Sequence, residues 1–249
     1  MLILVSNDDG IDSRGIKALS QALKKIRRAR VVVVAPVSEK SAASHSLTIH
    51  RPLRVEKVGF DQYAVDGTPA DAVMLAVHQV LKRKPDLLVS GINRGANLGE
   101  DVHYSGTVSA ALEGAIMGIP SMAVSLIRNE KTLKHDTAAR FAVKLARKVV
   151  KEGLPKGVVL NVNVPNLSGN RIKGYEFTIL GKHNYGDVIV EKIDPRGRPY
   201  FWIGGNPNVF ENIPDSDCNA YRQNKISVTP IQVDLTDYKF FNEIKQWKL

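Results

Sequence analysis

Five short apolar runs, residues 1–5, 31–35, 87–90, 122–126 and 158–162, recur along the first two thirds of this chain, separated by longer stretches of helical period. The runs are apolar at successive positions rather than alternate ones. Each would therefore be buried on both faces, as in a parallel sheet covered by helices. This alternation predicts an α/β fold: a three-layer, doubly wound, mainly parallel sheet of Rossmann-like form.

Caps and spacing place the helices. Ser13 opens the first, whose Ile16, Leu19, Leu23 and Ile26 form one stripe facing the sheet. In Gly67-Thr68-Pro69-Ala70-Asp71, Thr68 can cap the first amides, Pro69 suits the first helical position, and Asp71 suits the positive end of the dipole. A third helix, rich in Ala and Gly, is predicted over 107–117 with Gly118 as its stop, and a fourth over 137–152 closed by Gly153. Residues 48–65 alternate as antiparallel strands inserted into this frame would.

Past about Gly174 the pattern changes to aromatic-rich strands and Gly/Pro/Asn turns, with no helix alternating between them. Arg198-Pro199-Tyr200-Phe201-Trp202-Ile203-Gly204-Gly205 and Ile226-Ser227-Val228-Thr229-Pro230-Ile231 carry this signal, ahead of a closing helix at 238–244. The expected organisation is a catalytic core over 1–180 and, over 181–249, a β-rich antiparallel hairpin arm with a terminal helix. Tyr200, Phe201 and Trp202 are adjacent and so present apolar groups on both faces of their strand. That predicts a subunit interface, with a satellite core on the same chain as the alternative.

The chain has 249 residues, 43% of them apolar, and no apolar run approaching the ~20 residues that span a bilayer. The amino end lacks a charged start followed by a long apolar stretch, so a cytoplasmic protein without a membrane partner is expected. A single cysteine, Cys218, excludes an internal disulfide and a cysteine-rich zinc site. The net charge of +10 favours anionic partners, but the basic residues are scattered along helices, as in Lys24-Lys25-Ile26-Arg27-Arg28. That is the pattern of a solvated surface, and a stable nucleic-acid partner is not expected.

Four polar clusters follow strands on this map, and the sheet would gather them at one edge. The first, Ser6-Asn7-Asp8-Asp9-Gly10, sets two carboxylates side by side. Adjacent anions repel in a buried turn unless a hard cation such as Mg²⁺ or Mn²⁺ lies between them; a solvated turn is the plainer alternative. The second, residues 36–46, offers Ser41, Ser44, His45 and Lys40. The third, Ser90-Gly91-Ile92-Asn93-Arg94-Gly95-Ala96-Asn97, offers Asn93 to a metal and Asn97 as a donor to a phosphate oxygen, with both asparagines merely completing turns as the plainer alternative. The fourth, Tyr104-Ser105-Gly106-Thr107-Val108, precedes a helix, whose unpaired amides favour an anion. Neither Gly-x-x-x-x-Gly-Lys-Ser/Thr nor Gly-x-Gly-x-x-Gly appears after a strand, which removes support from NTPase and dinucleotide readings. A carboxylate pair for a cation and an anion cradle together describe hydrolysis of a phosphomonoester by metal-activated water. Asp9 or His45 could handle protons, and the sequence does not choose between them.

Five motifs in this order, Asn7-Asp8-Asp9-Gly10-Ile11, Ser41-Ala42-Ala43-Ser44-His45-Ser46-Leu47-Thr48, Gly67-Thr68-Pro69-Ala70-Asp71, Ser90-Gly91-Ile92-Asn93-Arg94-Gly95 and Ser105-Gly106-Thr107-Val108, closely resemble the SurE family of nucleotidases. The resemblance implies a divalent-metal-dependent 5′/3′-nucleotidase acting on nucleoside monophosphates, and in some members on short polyphosphate. It implies one Mg²⁺ or Mn²⁺ per subunit held by Asp8, Asp9, Ser41 and Asn93, with Asp8 and Asp9 catalytic. Phosphate contacts by the same matching are Asn97, Ser105, Gly106 and Thr107. It further implies that C-terminal arms swap between subunits to build a homodimer or homotetramer. Two rivals remain: a nucleotide- or RNA-binding protein that cleaves nothing, and a phosphatase working through a phosphoaspartate. Against the first, no aromatic platform of the RNA-recognition type lies near the four loops. Against the second, the aspartates are adjacent rather than spaced as Asp-x-Asp.

Overall fold

The computed structural model describes residues 1–127, 132–182, 189–203 and 210–248. Its main sheet has nine strands in the order β3-β4-β2-β1-β5-β6-β7-β11-β8. The five apolar runs are β1 (Leu2–Ser6), β2 (Arg30–Pro36), β5 (Leu87–Arg94), β6 (Ser121–Ile127) and β7 (Val158–Pro165), with β3 (Val55–Gly59) and β4 (Gln62–Val65) at one end of the sheet. From β4 through β7 every neighbouring pair is parallel, and β3 turns back antiparallel onto β4.

Side chains of each strand divide between two packed layers. Ile3, Val5, Val31, Val33, Leu87 and Val89 face α1 (Arg14–Leu23) and α4 (His135–Glu152), which contribute Ile16, Leu19, Ala138 and Ala142. Leu2, Leu4, Val32 and Val34 face the other way, onto Ala72, Val73 and Ala76 of α2 (Pro69–Leu75) and its π-helical continuation, residues 76–81. The third cluster lies on α3 (Gly106–Ile116), through Val108, Ala111 and Ala115. Ser13 caps α1 as expected. Thr68 and Asp71 form a reciprocal capping box at α2, with Pro69 in the first turn.

The C-terminal part departs from expectation in two ways. A helix, α5 (Asp217–Arg222), stands among its strands, although no helix was expected there. β11 (Ile226–Gln232), assigned above to the arm, runs antiparallel to β7 inside the main sheet and carries the short edge strand β8 (Tyr175–Phe177). Burial of Ile226 and Val228 against the α1/α4 layer draws it there, so the sheet does not break at residue 181. What projects is a two-stranded hairpin, β9 (Ile189–Ile193) paired with β10 (Pro199–Ile203), followed at the end of the chain by α6 (Tyr238–Ile244). Every residue of the hairpin strands is exposed. Gly204 and Gly205 lie outside the described residues.

The segment expected as strand from Thr48 also starts later, at Val55. Side chains intercept its backbone first: the Thr48 amide donates to Asp71 at 3.0 Å and the Arg54 amide to Asp66 at 2.7 Å. Among the described residues no helix is long and apolar enough to cross a membrane.

Candidate active site

Strand order reverses between β1 and β5, since β2 continues one way from β1 while β6 and β7 extend the other way from β5. Ligands of open α/β sheets bind at such a switch, beyond the carboxyl ends of the strands. A cleft of about 510 Å³ lies there, and Asp8, Asp9, Ser41, Asn93, Asn97 and Ser105 all line it. Of the expected site residues, only Gly106 and Thr107 stand behind the wall, and both touch Asp8.

The turn after β1 is held from several sides. Asn7 is fully buried and its amide donates to Gly10 O at 3.0 Å and to Ser13 Oγ at 2.9 Å, locking the turn that presents the carboxylates. The Asp8 carbonyl accepts the Lys40 amide at 2.7 Å, so the loop after β2 is tied to the same turn. Thr107 donates its hydroxyl to Asp8 Oδ1. Asp9 Oδ2 accepts the Arg94 amide at 3.1 Å, joining the ends of β1 and β5.

Electrostatics mark this pair. Burial raises the Asp8 carboxyl above its ordinary value, with the Thr107 hydroxyl opposing the shift. Burial first, and the Asp8 charge second, push Asp9 up to about 6. Both carboxylates are thus held where negative charge is poorly compensated by the protein itself. Glu39 and Asp101 also line the cleft, and Arg94 is the one cationic residue among its described lining.

The donor set suits a hard dication. Among the described residues no three His, Cys, Asp or Glu side chains gather to hold a metal. Two carboxylates with the neutral oxygens of Ser41 and Asn93 are all-oxygen donors of the kind Mg²⁺ and Mn²⁺ take, usually completed by water. The Ser41 hydroxyl donates to Glu39 at 2.6 Å, and the Asn93 side-chain amide donates to Gly95 O at 3.2 Å, so of the Asn93 side-chain atoms the carbonyl oxygen is the one that could face a cation.

The expected anion cradle falls at the start of α3. Ser105 caps it by accepting the Val108 amide at 3.1 Å. Gly106 is required by close approach: a Cβ there would come 2.8 Å from Asp8 Cβ and 3.1 Å from Pro69 Cγ. The positive end of α3 therefore sits directly against the carboxylate turn.

Sequence reasoning missed the supports. Asn161 and Asn163, fully buried in β7, donate to the Asn97 carbonyl at 2.8 and 2.9 Å, and Asn163 accepts the Asn97 amide at 2.8 Å. The Asn97 side chain donates to Ser125 at 2.7 Å. Two asparagines inside an otherwise apolar strand were the available signal, because buried amides require partners. The third cluster also proves to be the end of β5 rather than a loop after it, since that strand continues to Arg94. His45 lies outside the cleft lining, its Nε2 2.8 Å from Glu113 of α3. Cys218 is fully buried in a small cluster with Leu98, Ile127 and Phe210.

Comparison with known proteins agrees with this architecture. The family described as Survival protein SurE matches residues 3–187. A protein of Geobacter sulfurreducens named 5′-nucleotidase SurE is 51% identical over 249 residues, covering 100% of this chain and 94% of the relative. One of the same name from Moorella thermoacetica is 49% identical over 98% of this chain and 95% of its own length. The crystal structure of the Sure protein from Aquifex aeolicus superimposes with a TM-score of 0.89 at 45% identity, covering 98% of both chains. The chain belongs to the SurE family.

Proposed function

We propose that this protein is a 5′-nucleotidase: a phosphomonoesterase that hydrolyses nucleoside 5′-monophosphates, and 3′-monophosphates by the same site, to nucleoside and inorganic phosphate. The observation that carries the reading is the juxtaposition of Asp8 and Asp9 with the N-terminus of α3 in one cleft. The name 5′-nucleotidase, shared by relatives about half identical along the full chain, supports it.

In this reading Asp8, Asp9, Ser41 and Asn93 hold one divalent ion, Mg²⁺ or Mn²⁺. When bound, such an ion polarises a phosphoryl oxygen and lowers the pKa of water beside it. The chain's own groups do the rest. Asp8 is fixed by Thr107 and faces the phosphate subsite. The amides opening α3 and the Ser105 hydroxyl receive the phosphate oxygens, with Gly106, Thr107 and Asn97 shaping that subsite. Asp9, pushed up to about 6 in the protein without metal, would be held ionised once a dication binds beside it. Short polyphosphate is a secondary substrate. The functional unit is a homodimer or homotetramer built by exchange of the C-terminal arm, and its setting is the cytoplasm.

Release of inorganic phosphate from AMP and GMP, measured with added Mn²⁺ and again with EDTA, tests the reading. Turnover with the metal and its loss with the chelator are expected. Nucleotide binding without phosphate release would replace the enzyme with a sensor. Trapping of phosphate covalently on Asp8 or Asp9 would point to an acyl-phosphate route instead.

A further inference from the structure

Tyr104 is the one aromatic residue among the described residues lining the cleft. The residue is 63% exposed. Its backbone is fixed on both sides, because its amide donates to Asp101 O at 3.0 Å and its carbonyl accepts the Ser44 amide at 3.1 Å. The Ser44 hydroxyl donates to His103 O at 2.7 Å, so the peptide just before Tyr104 is held too. Among the described residues, by contrast, the ring has no aromatic, cationic or hydrogen-bonding partner.

The ring stands on a held backbone beside the expected phosphate cradle, open to whatever enters the cleft. The cleft supplies the room. At about 510 Å³ it is far larger than a phosphate group and lies within the ~300–1,000 Å³ range of sites that enclose a small molecule. Tyr104 immediately precedes Ser105, the cap of α3, so ring and cradle are one residue apart along the chain. A nucleoside monophosphate with its phosphate at the helix start must extend its sugar and base away from Asp8. A flat aromatic surface at the mouth fits the π face of any base, and stacking of this kind tolerates purines and pyrimidines alike.

We propose that Tyr104 is the nucleobase platform of this site: the ring stacks on the base and distinguishes a nucleotide from a phosphomonoester lacking a base. The inference rests on the nucleotidase reading above and extends it to the determinant of substrate class. Tyr104 is then a specificity residue, and the chemical step does not depend on it.

The test compares wild type, Tyr104→Phe and Tyr104→Ala on AMP, CMP and ribose 5-phosphate at saturating Mn²⁺. Ribose 5-phosphate keeps the reacting ester and removes the base. For Tyr104→Ala, KM for AMP and CMP should rise roughly tenfold or more, in line with the loss of one base-aromatic stack. Its kcat should hold, and its constants on ribose 5-phosphate should stay within about twofold of wild type by the same stacking argument. Tyr104→Phe retains the ring and should match wild type on all three. The proposal is overturned if Tyr104→Ala leaves KM for the nucleotides unchanged, or if it weakens ribose 5-phosphate as much as AMP. A fall in kcat alone, or failure of Tyr104→Phe to restore wild-type KM, also overturns it. Failure of the wild type to release phosphate from any nucleotide would instead sink the nucleotidase reading itself, so the two failures are separable.

Discussion

The Asp8 and Asp9 carboxyls are poised against their own protein. Both titrate above the ordinary value of 3.8, Asp9 at about 6. A carboxyl whose folded pKa is raised contributes stability that is complete below 3.8 and is lost as pH rises through the folded value. Without metal, this pair should therefore destabilise the fold progressively between about pH 4 and 7. Asp61 and Asp66 act in the opposite sense, since Arg30 and the Arg54 amide lower their pKa values and their contribution disappears on acidification. A dication needs the ionised pair. Thermal melts with Mn²⁺ at 100 times its dissociation constant should gain about 2.7 kcal/mol at pH 7.5, and clearly less at pH 5, where protons compete. Asp9→Asn should melt higher than wild type in EDTA at pH 7.5 and respond weakly to Mn²⁺. An equal Mn²⁺ shift at both pH values would remove these carboxylates from the metal site. The place of this carboxylate pair in the cleft was legible, because Asn-Asp-Asp-Gly after an apolar strand is an uncommon juxtaposition of charge. The Thr107 and Asn163 contacts were not, since each joins positions far apart in sequence: 99 for Asp8 to Thr107, and 66 for Asn97 to Asn163.

At the scale of elements, the site depends on how closely α3 approaches the turn after β1. Gly106→Ala adds one methyl where Asp8 and Pro69 leave no room, and neither neighbour is a flexible chain end. The expected cost is ~1–3 kcal/mol of stability from overpacking, with a displaced helix start. Phosphate release should fall much further than stability does, because both the cradle and Asp8 move. Denaturant melts and turnover of the same preparation check this; a variant that keeps wild-type turnover would show that the contact is slack. Elements with local signals were readable, as the capping box at Thr68 and the stripe of α1 illustrate. Those set by distant partners were not. β11 reads like any aromatic-arm strand until β7 is placed beside it, and the six residues of α5 are too few to show a period.

For the whole molecule, the exposed hairpin is the feature that bears on assembly. Tyr200, Phe201, Trp202 and Ile203 are 41%, 58%, 62% and 85% exposed, and α6 buries none of its residues. Two isolated strands are marginal in water, so contact with another surface would add to the hairpin's stability. Sedimentation should give at least twice the 27.4 kDa of one chain, and Trp202→Asp should shift the population toward 27.4 kDa. Wild-type protein sedimenting as a monomer at micromolar concentration would count against an assembly role for the arm.

The middle of the sheet is also assembled late. Leu2 leads into the central strand, yet the Asp86 carboxylate that accepts its amide lies 84 positions downstream. On a translating ribosome β1 can meet β2 early, but its other edge stays open until β5 has cleared the exit tunnel. This chain should consequently lean on holding chaperones during synthesis more than a protein of equal size whose central strands are sequence neighbours.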